Sequence, residues 1–225
     1  MTENINERKG KIRGVIFDLD GTLADTMGDL MKSINIMLSR YGLPRRAYSE
    51  CIDAINRGAV NFVRDSLPPD KAADGSFVAE AFETYKSIYS EHYLDTTHLY
   101  DGIYELLTWL KKRGVKLGVL SNKQHSQTAL IAERFFGSDF FSAVIGHGMF
   151  PHKPDPAASL HIAAVFGAEP TEILFVGDSD IDIATARNAG MFSIAVTWGY
   201  KPADVLEAAG ADEVISSPDE IKKYF

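Results

Sequence analysis

Two carboxylates stand two residues apart in the stretch IRGVIFDLDGTLADT, residues 12 to 26. Asp18 and Asp20 end an apolar run that has the length of a buried strand, and Gly21 and Thr22 follow at once. Like charges at this spacing are costly unless an opposite charge offsets them. We therefore expect cations beside the end of this strand, supplied by the protein or by a metal ion.

Apolar runs of strand length recur along the chain and alternate with helical patterns. They lie at 115–122, 141–146, 172–178, 191–199 and, as a short edge strand, 211–217. Continuous apolar strands that alternate with helices are typical of a parallel sheet covered on both faces. The sequence therefore predicts the α/β class with a doubly wound parallel sheet.

The region 25–95 is the exception, because it carries helical patterns without a strand pattern. It begins just after the first strand and ends before the helix that leads to the second. We interpret it as a small helical cap inserted after the first strand, over the carboxyl ends of the strands, with 68–76 as a connecting loop. The predicted domains are a catalytic core, 1–24 and 96–225, and the cap.

Polar residues follow the other apolar runs as well. The second run ends in Ser121, Asn122 and Lys123, while Lys153 follows the third and Asp178 the fourth. These residues are expected to meet, because ligand sites of doubly wound sheets lie at the carboxyl ends of the strands. The three carboxylates of Asp18, Asp20 and Asp178 suit Mg²⁺, which keeps waters and substrate oxygens as further ligands. A hydroxyl and two lysines beside that ion suit phosphoryl transfer to a carboxylate nucleophile.

Four segments resemble the motifs of the haloacid dehalogenase (HAD) superfamily, and they occur in the order of that family. FDLDGTLADT is similar to the first motif, LSNK to the second, HKPDP to the third and VGDSDID to the fourth. The resemblance covers nearly the whole chain. It implies a Rossmann-like core and Mg²⁺ as the cofactor.

The first and fourth motifs imply the nucleophile, the acid and the metal ligands. Asp18 is expected to attack phosphorus and to carry an aspartyl-phosphate. Asp20 is expected to protonate the leaving oxygen and then to activate water, with Thr22 holding it in place. Mg²⁺ is expected to bind Asp18, the backbone carbonyl of Asp20, and Asp178.

The remaining motif residues are expected to bind the phosphoryl group. Ser121 and Asn122 are expected to hydrogen-bond it, and Lys153 to stabilise the nucleophile and the phosphoryl oxygens. Asp182 is expected to orient Lys153 or a metal-bound water. Asp180 is interpreted as a solvated residue at the start of a helix.

Asp20 distinguishes between two reactions of the superfamily. Halide leaves without a proton, so haloalkanoic acid dehalogenases need no acid two residues after the nucleophile. The alkoxide of a phosphate ester does need one. Asp20 therefore favours a phosphatase.

The cap stretch INRGAVNFVRDSL is similar to a cap segment of phosphoglycolate phosphatase-like members. Arg57 and Gly58 are accordingly expected to bind substrate, with Arg57 pairing bidentately with a substrate carboxylate. A surface arginine is an equal alternative. AVTWGY is typical of the same branch, and Trp198 is expected either at the rim of the site or as a packing aromatic. His147 and His152 are expected to be solvent-exposed loop residues, because no third transition-metal ligand lies near them.

The sequence favours hydrolysis of a small phosphorylated metabolite. Phosphoglycolate is the first candidate substrate, followed by pyrophosphate, sugar phosphates and nucleoside monophosphates. The alternatives are a phosphosugar mutase similar to β-phosphoglucomutase, an inorganic pyrophosphatase of the same superfamily, and a non-catalytic regulatory protein. The intact motifs favour catalysis.

Composition restricts the partners. The chain has 225 residues, 45% of them hydrophobic, and a net charge of -8, which argues against nucleic acid or an anionic membrane as a partner. Its one cysteine, Cys51, is interpreted as structural. Residues 1–11 do not have the pattern of a signal peptide. A cytoplasmic monomer or homodimer is expected.

Overall fold

A six-stranded parallel sheet forms the centre of the computed structural model, which describes residues 10–55 and 58–225. Its strands in spatial order are β5 (Ala143–His147), β4 (Lys116–Gln124), β1 (Gly14–Phe17), β6 (Ile173–Gly177), β7 (Phe192–Val196) and β8 (Glu213–Ile215). The chain fills one half of the sheet outward from β1 to β5, then crosses back to β6 and fills the other half. This order confirms the predicted doubly wound α/β fold.

Helices cover both faces of the sheet. Side chains alternate along β1, so that Val15 and Phe17 enter one apolar layer and Ile16 enters the other. The first layer contains α6 (Ile103–Lys112) and α7 (His125–Phe136), and the second contains α8 (Ala157–Phe166) and α9 (Asp180–Ala189). The last α-helix, α10 (Ala203–Ala208), packs Leu206 against Ile183 of α9, and a 3-10 helix over Pro218–Tyr224 follows β8. Burial on both faces explains why the strands read as continuous apolar runs.

A run of helices lies between β1 and β4. These are α1 (Met27–Arg40), α2 (Tyr48–Ala54), α3 (Ala59–Ser66), α4 (Pro69–Ala72) and α5 (Gly75–His92). They bury an apolar cluster of their own, in which Cys51 is fully enclosed. The prediction of a loop over 68–76 is wrong at α4, where Pro69 takes the first helical position that its fixed φ favours. The domain boundaries stay a prediction.

A two-stranded antiparallel stem joins the helical run to the sheet. It pairs β2 (Ala24–Asp25) with β3 (His98–Leu99). Asp29 of α1 links the segment after β2 to the segment before β3. Its carboxylate accepts hydrogen bonds from the backbone N–H and hydroxyl groups of Thr96 and Thr97 at 2.6 to 3.1 Å. The stem holds the helices over the carboxyl ends of the strands.

Across the residues that the structure describes, no helix combines the length and the apolar character needed to cross a membrane.

Candidate active site

The chain turns sharply after β1, where Asp18 and Asp20 lie. The N–H of Asp18 donates to the carbonyl of Val176 at 2.8 Å and extends the pairing with β6. Gly21 has a φ of 84°, and a Cβ there would lie 2.3 Å from Oδ2 of Asp178. Glycine alone meets both conditions without strain. The turn therefore brings the ends of β1 and β6 into contact.

Lys153 lies between Asp18 and Asp182, and all three are buried. Its Nζ is 2.7 Å from Oδ1 of Asp18 and 2.7 Å from Oδ1 of Asp182. Burial opposes the charge of the amine, but the two carboxylates outweigh it and raise the pKa of Lys153. At Asp18 burial outweighs the attraction of Lys153 and raises the pKa to about 7. The ammonium is thus retained, while an ionised Asp18 needs further positive charge.

Asp182 is fixed by the first turn of α9. Its Oδ2 accepts from the N–H and the hydroxyl of Ser179 at 3.1 and 2.6 Å, which leaves Oδ1 for Lys153. A Cβ at Gly177 would lie 2.3 Å from Cβ of Asp182, so the end of β6 has no room for a side chain. Asp180 is exposed at the start of the same helix.

Asp178 completes a cluster of three buried carboxyl groups with Asp18 and Asp182. One oxygen of each lies within 4.8 Å of the other two. Burial and the charges of its two neighbours raise the pKa of Asp178 well above its usual range. A divalent cation offsets such repulsion, and hard carboxylate oxygens suit it. These residues fit a metal ion. The Asp20 side chain lies outside the cluster, and the backbone carbonyl expected to bind metal stays a prediction.

The Asp20 side chain is held from three directions. Its Oδ1 accepts from the hydroxyl of Thr26 at 2.5 Å and from Nζ of Lys123 at 2.8 Å. Its Oδ2 lies 3.5 Å from Oγ of Ser121. Neither Thr26 nor the Lys123 pairing was identified from the sequence. The sequence did indicate that Lys123 lies near the site, because it follows Ser121 at the end of the second apolar run. Nothing in the sequence indicated that its partner is Asp20.

Thr22 does not hold Asp20, and this part of the prediction is wrong. Its hydroxyl points instead toward Oδ1 of Asp178 at 3.4 Å. The reason is the turn after β1, which directs Thr22 toward β6. The helix start four residues later then brings Thr26 to Asp20.

Asn122 faces the backbone of Lys153. Its Oδ1 accepts from the Lys153 N–H at 2.8 Å, and its Nδ2 donates to the Lys153 carbonyl at 3.2 Å. Through these contacts Asn122 fixes the loop that carries the lysine. Ser121 and Asn122 both line the cavity described below, and their predicted contact with a phosphoryl group stays a prediction.

The segment after β7 packs against the turn that follows β1 and against Asp178. The N–H of Tyr200 donates to Oδ2 of Asp178 at 2.8 Å, and its hydroxyl accepts from the N–H of Thr26 at 3.0 Å. Trp198 donates from Nε1 to the carbonyl of Thr22 at 3.0 Å. Trp198 is therefore a packing aromatic, one of its two predicted roles. Tyr200 was missed, because its two partners lie far away in the sequence.

A cavity separates these polar groups from the helices above them. Its empty volume, including the part open to solvent, is about 560 Å³. The strand ends contribute Asp18, Asp20 and Lys153 to its wall. The helical side contributes mainly hydrocarbon and aromatic groups, namely Leu30, Ile55, Ala59, Phe62, Tyr85 and Tyr89.

Of the two cap residues expected to bind substrate, Gly58 lines the cavity and Arg57 lies outside the described residues. Gly58 has a φ of 86°, and a Cβ there would lie 2.5 Å from Cε1 of His152. The helical run thus contacts the loop of Lys153 directly. The prediction of exposed histidines is wrong, because His147 and His152 are half-buried with ring centroids 3.8 Å apart.

Comparisons with known proteins agree with this geometry. The pattern of the family described as haloacid dehalogenase-like hydrolase matches residues 15–196. Phosphoglycolate phosphatase 1 of Pseudomonas aeruginosa is 36% identical over 192 residues, which cover 84% of this chain and 70% of the relative. Phosphoglycolate phosphatase of Chromobacterium violaceum is 33% identical over 213 residues, 93% of this chain and 95% of the relative. A crystal structure described as a predicted phosphoglycolate phosphatase from Haemophilus somnus has a TM-score of 0.88 at 29% identity, and covers 95% of this chain and 97% of its own.

Proposed function

We propose that this chain, which belongs to the haloacid dehalogenase-like hydrolase family, is a magnesium-dependent phosphatase that hydrolyses phosphoglycolate through an aspartyl-phosphate at Asp18. The observation that carries the proposal is the pairing of buried Asp18 with Lys153 at 2.7 Å, beside a second acid, Asp20, on the same cavity. The names of the relatives support the choice of substrate.

In the first half-reaction a carboxylate oxygen of Asp18 attacks phosphorus, and the ester P–O bond breaks. Asp20 gives a proton from its carboxyl group to the leaving oxygen, so that glycolate leaves as an alcohol. Lys153 keeps its positive charge beside the attacking oxygen and the phosphoryl oxygens. Because the lysine is paired and buried before substrate arrives, little reorganisation is needed during the step.

In the second half-reaction water attacks the aspartyl-phosphate, and Asp20 takes a proton from that water. The bond between phosphorus and the Asp18 oxygen breaks, and inorganic phosphate leaves. Asp18 returns as a carboxylate and Asp20 as an acid, so the cycle is balanced. The water-excluding hydrocarbon of the helices limits access to the single water that the step needs.

Asp18 and Asp178 would hold the metal ion, with Asp182 beside them. A bound Mg²⁺ supplies positive charge to the phosphoryl oxygens and to the carboxyl cluster. Mg²⁺ is preferred because the donors are carboxylate oxygens, without a sulfur or imidazole group among the clustered ligands of the described residues.

The substrate is proposed to be small, because the helices leave a confined space above the strand ends. A cytoplasmic location is part of the proposal. The cysteine content supports it. The chain has one cysteine, Cys51, which is buried inside the helical run and has no second cysteine in the chain with which to form a disulfide.

The test measures phosphate release from phosphoglycolate, pyrophosphate and a hexose phosphate, with Mg²⁺ and with a chelator. We expect phosphoglycolate to be turned over with Mg²⁺ only. Asp18→Asn is expected to lower kcat by about 10⁴-fold or more. Asp139→Asn, which changes an exposed carboxylate in the loop before β5 and outside the cavity lining, is the matched control and should keep its activity. A folded, Mg²⁺-binding native chain that releases no phosphate from phosphoglycolate contradicts the proposal, as does an Asp18→Asn variant that retains activity.

A further inference from the structure

The hydroxyl of Tyr89, a residue of α5, is buried and makes no hydrogen bond to the described part of the chain. The residue is 1% exposed, and its Oη has no hydrogen-bond partner among the described residues. A buried polar group without a partner costs about 1 to 3 kcal/mol, whereas phenylalanine at the same position would cost nothing of this kind. Most buried hydroxyls are satisfied in folded proteins, so an unpaired one calls for an explanation.

The position of Tyr89 supplies that explanation, because the residue lines the cavity that contains Asp18 and Asp20. Nζ of Lys123 lies 4.9 Å from the centroid of the Tyr89 ring. Tyr85, one turn earlier on α5, stacks on the same ring with centroids 5.7 Å apart and planes 8° from parallel. Tyr89 is therefore held in a fixed orientation beside the acid and the lysine.

Lys123 and Lys153 are the cations in the described part of the cavity lining, which also carries neutral polar groups such as Tyr85 and Gln127. The neighbouring helical lining, Leu30, Ile55 and Phe62, is hydrocarbon. Lys153 is committed to two carboxylates at 2.7 Å each. Lys123 gives one hydrogen bond to Asp20 at 2.8 Å, and an ammonium has three donors.

We propose that the Tyr89 hydroxyl and the Lys123 ammonium form a subsite for the carboxylate of the leaving group. This inference rests on the proposed phosphatase activity and assigns two residues to the selection of short phosphorylated hydroxy acids over esters without a carboxylate. A carboxylate accepts the hydrogen bond that Tyr89 lacks and meets the positive charge of Lys123. A leaving group without a carboxylate leaves the Tyr89 hydroxyl unpaired, and Lys123 keeps Asp20 as its partner.

Such a site distinguishes between esters, because an ester without a carboxylate leaves the Tyr89 hydroxyl without a hydrogen bond. Enzymes that hydrogen-bond a buried polar group of the substrate reject analogues without that group more strongly than a pocket rejects a missing methylene. Tyr89 acts on selectivity in this account and does not take part in proton transfer. Its removal should therefore affect one substrate and not another.

The test compares phosphoglycolate with ethyl phosphate, an ester with the same carbon count and no carboxylate. Both are assayed with the native chain, Tyr89→Phe and Tyr93→Phe. Tyr93→Phe is the matched control, because it removes a hydroxyl from the residue one turn further on, which is half-buried and not in the cavity wall. Tyr89→Phe removes only an oxygen that has no hydrogen-bond partner in the described part of the chain, so folding should be preserved, and thermal unfolding checks this.

We expect Tyr89→Phe to lower kcat/KM for phosphoglycolate about 10- to 100-fold, mainly through KM, which corresponds to a hydrogen bond to a charged group. The value for ethyl phosphate should stay within about twofold, and Tyr93→Phe should resemble the native chain with both esters. Inhibition by glycolate should weaken in Tyr89→Phe, and inhibition by inorganic phosphate should not.

An unchanged kcat/KM for phosphoglycolate in Tyr89→Phe overturns the inference and leaves the phosphatase proposal standing. An equal loss with both esters also overturns it, since that result assigns Tyr89 to the chemistry or to folding. Failure of the native chain to hydrolyse phosphoglycolate overturns both proposals. The three results are distinguishable in one set of assays.

Discussion

The strand ends and the helices above them build opposite walls of one cavity. On the sheet side, Asp18 and Lys153 are buried and paired at 2.7 Å, and the neighbouring polar groups have partners in the fold. On the helical side, Phe62 offers hydrocarbon, and Tyr89 offers a hydroxyl that has no hydrogen-bond partner within residues 10–55 and 58–225. The sheet side thus has its hydrogen bonds arranged before substrate arrives, whereas the helical side leaves one to be made.

This difference assigns separate tasks to the two walls. Charged groups that are buried and paired in advance suit the chemical step, which is the same for every phosphate ester. Apolar groups with one free donor suit selection among esters. Changes on the sheet side should therefore lower turnover of all substrates, and changes on the helical side should act on KM, stability or substrate preference.

The largest effect is expected from Lys153→Met. The variant removes the one cation between Asp18 and Asp182, and loss of such a charge stabiliser typically lowers kcat about 10²- to 10³-fold. It also leaves two buried carboxylates without their partner, so the free energy of unfolding should fall by about 3 to 5 kcal/mol in the absence of metal. Steady-state kinetics with several esters and chemical denaturation measure the two effects.

Lys116→Met is the control for that variant, because Lys116 is an exposed lysine at the start of β4. It should match the native chain in both measurements. A loss in Lys153→Met that is confined to one ester would break the proposed division between the walls.

A smaller effect is expected at the contact between the walls. Gly58→Ala introduces a Cβ at a φ of 86° and 2.5 Å from His152. Gly42→Ala introduces the same strain at a φ of 65° but with nothing within 4 Å. Both should destabilise through the backbone by about 1 kcal/mol, and Gly58→Ala should lose about 1 to 3 kcal/mol more through the collision.

Thermal and chemical unfolding of the two glycine variants measure that difference. His152→Ala in the Gly58→Ala background removes the obstructing ring and should recover part of the loss. Equal destabilisation in the two glycine variants would show that the Gly58–His152 contact does not join the walls.

Next in size is the pair of threonines after β1. Thr26→Val removes the 2.5 Å hydrogen bond to Asp20, and kcat should fall about tenfold with little change in KM, because the proton donor loses its orientation. Thr22→Val removes only the 3.4 Å contact to Asp178 and should change kcat by about twofold or less. The reverse order of effects would restore the role that the sequence predicted for Thr22.

The last prediction concerns pH in the absence of metal. Burial raises the pKa of Asp18 from 3.8 to about 7, so folding favours its neutral form. That contribution to stability is fully present below pH 3.8 and is lost as the pH rises through about 7. With a chelator present, the native chain should therefore lose stability relative to Asp18→Asn between about pH 4 and about pH 7.

Thermal unfolding of both proteins across that range checks the sign, and Mg²⁺ should stabilise the native chain more at the upper end. Asp139→Asn, with its exposed carboxylate, should follow the native chain throughout. A native chain that gains stability over Asp18→Asn as the pH rises would contradict the assigned direction.

The two walls also differ in how far the sequence predicted them. The sheet side was predictable because carboxyl ends of parallel strands meet, so a polar residue after each apolar run had to lie near the others. Even there the sequence could not assign partners. The turn at Gly21 directs Thr22 to Asp178, and only the folded chain reveals that Lys123 pairs with Asp20.

The helical side was predicted as helices and little more. Helical periodicity locates an apolar face, but which aromatic of that face meets the cavity depends on how α5 packs above the sheet. Tyr89 and Tyr85 therefore gave no signal in the sequence. His147 and His152 were misjudged for a related reason, since a loop position implies exposure until Gly58 is found to pack on His152.

The most direct test of the account asks whether Asp18 carries the phosphoryl group. The native chain is mixed with phosphoglycolate and Mg²⁺, quenched within the first turnover and treated with borohydride, which reduces an acyl phosphate of aspartate to homoserine. Peptide mass analysis then locates the modified residue. The account predicts homoserine at position 18 and none in Asp18→Asn. Rapid phosphate release with unmodified Asp18, or modification of another carboxylate, would contradict it.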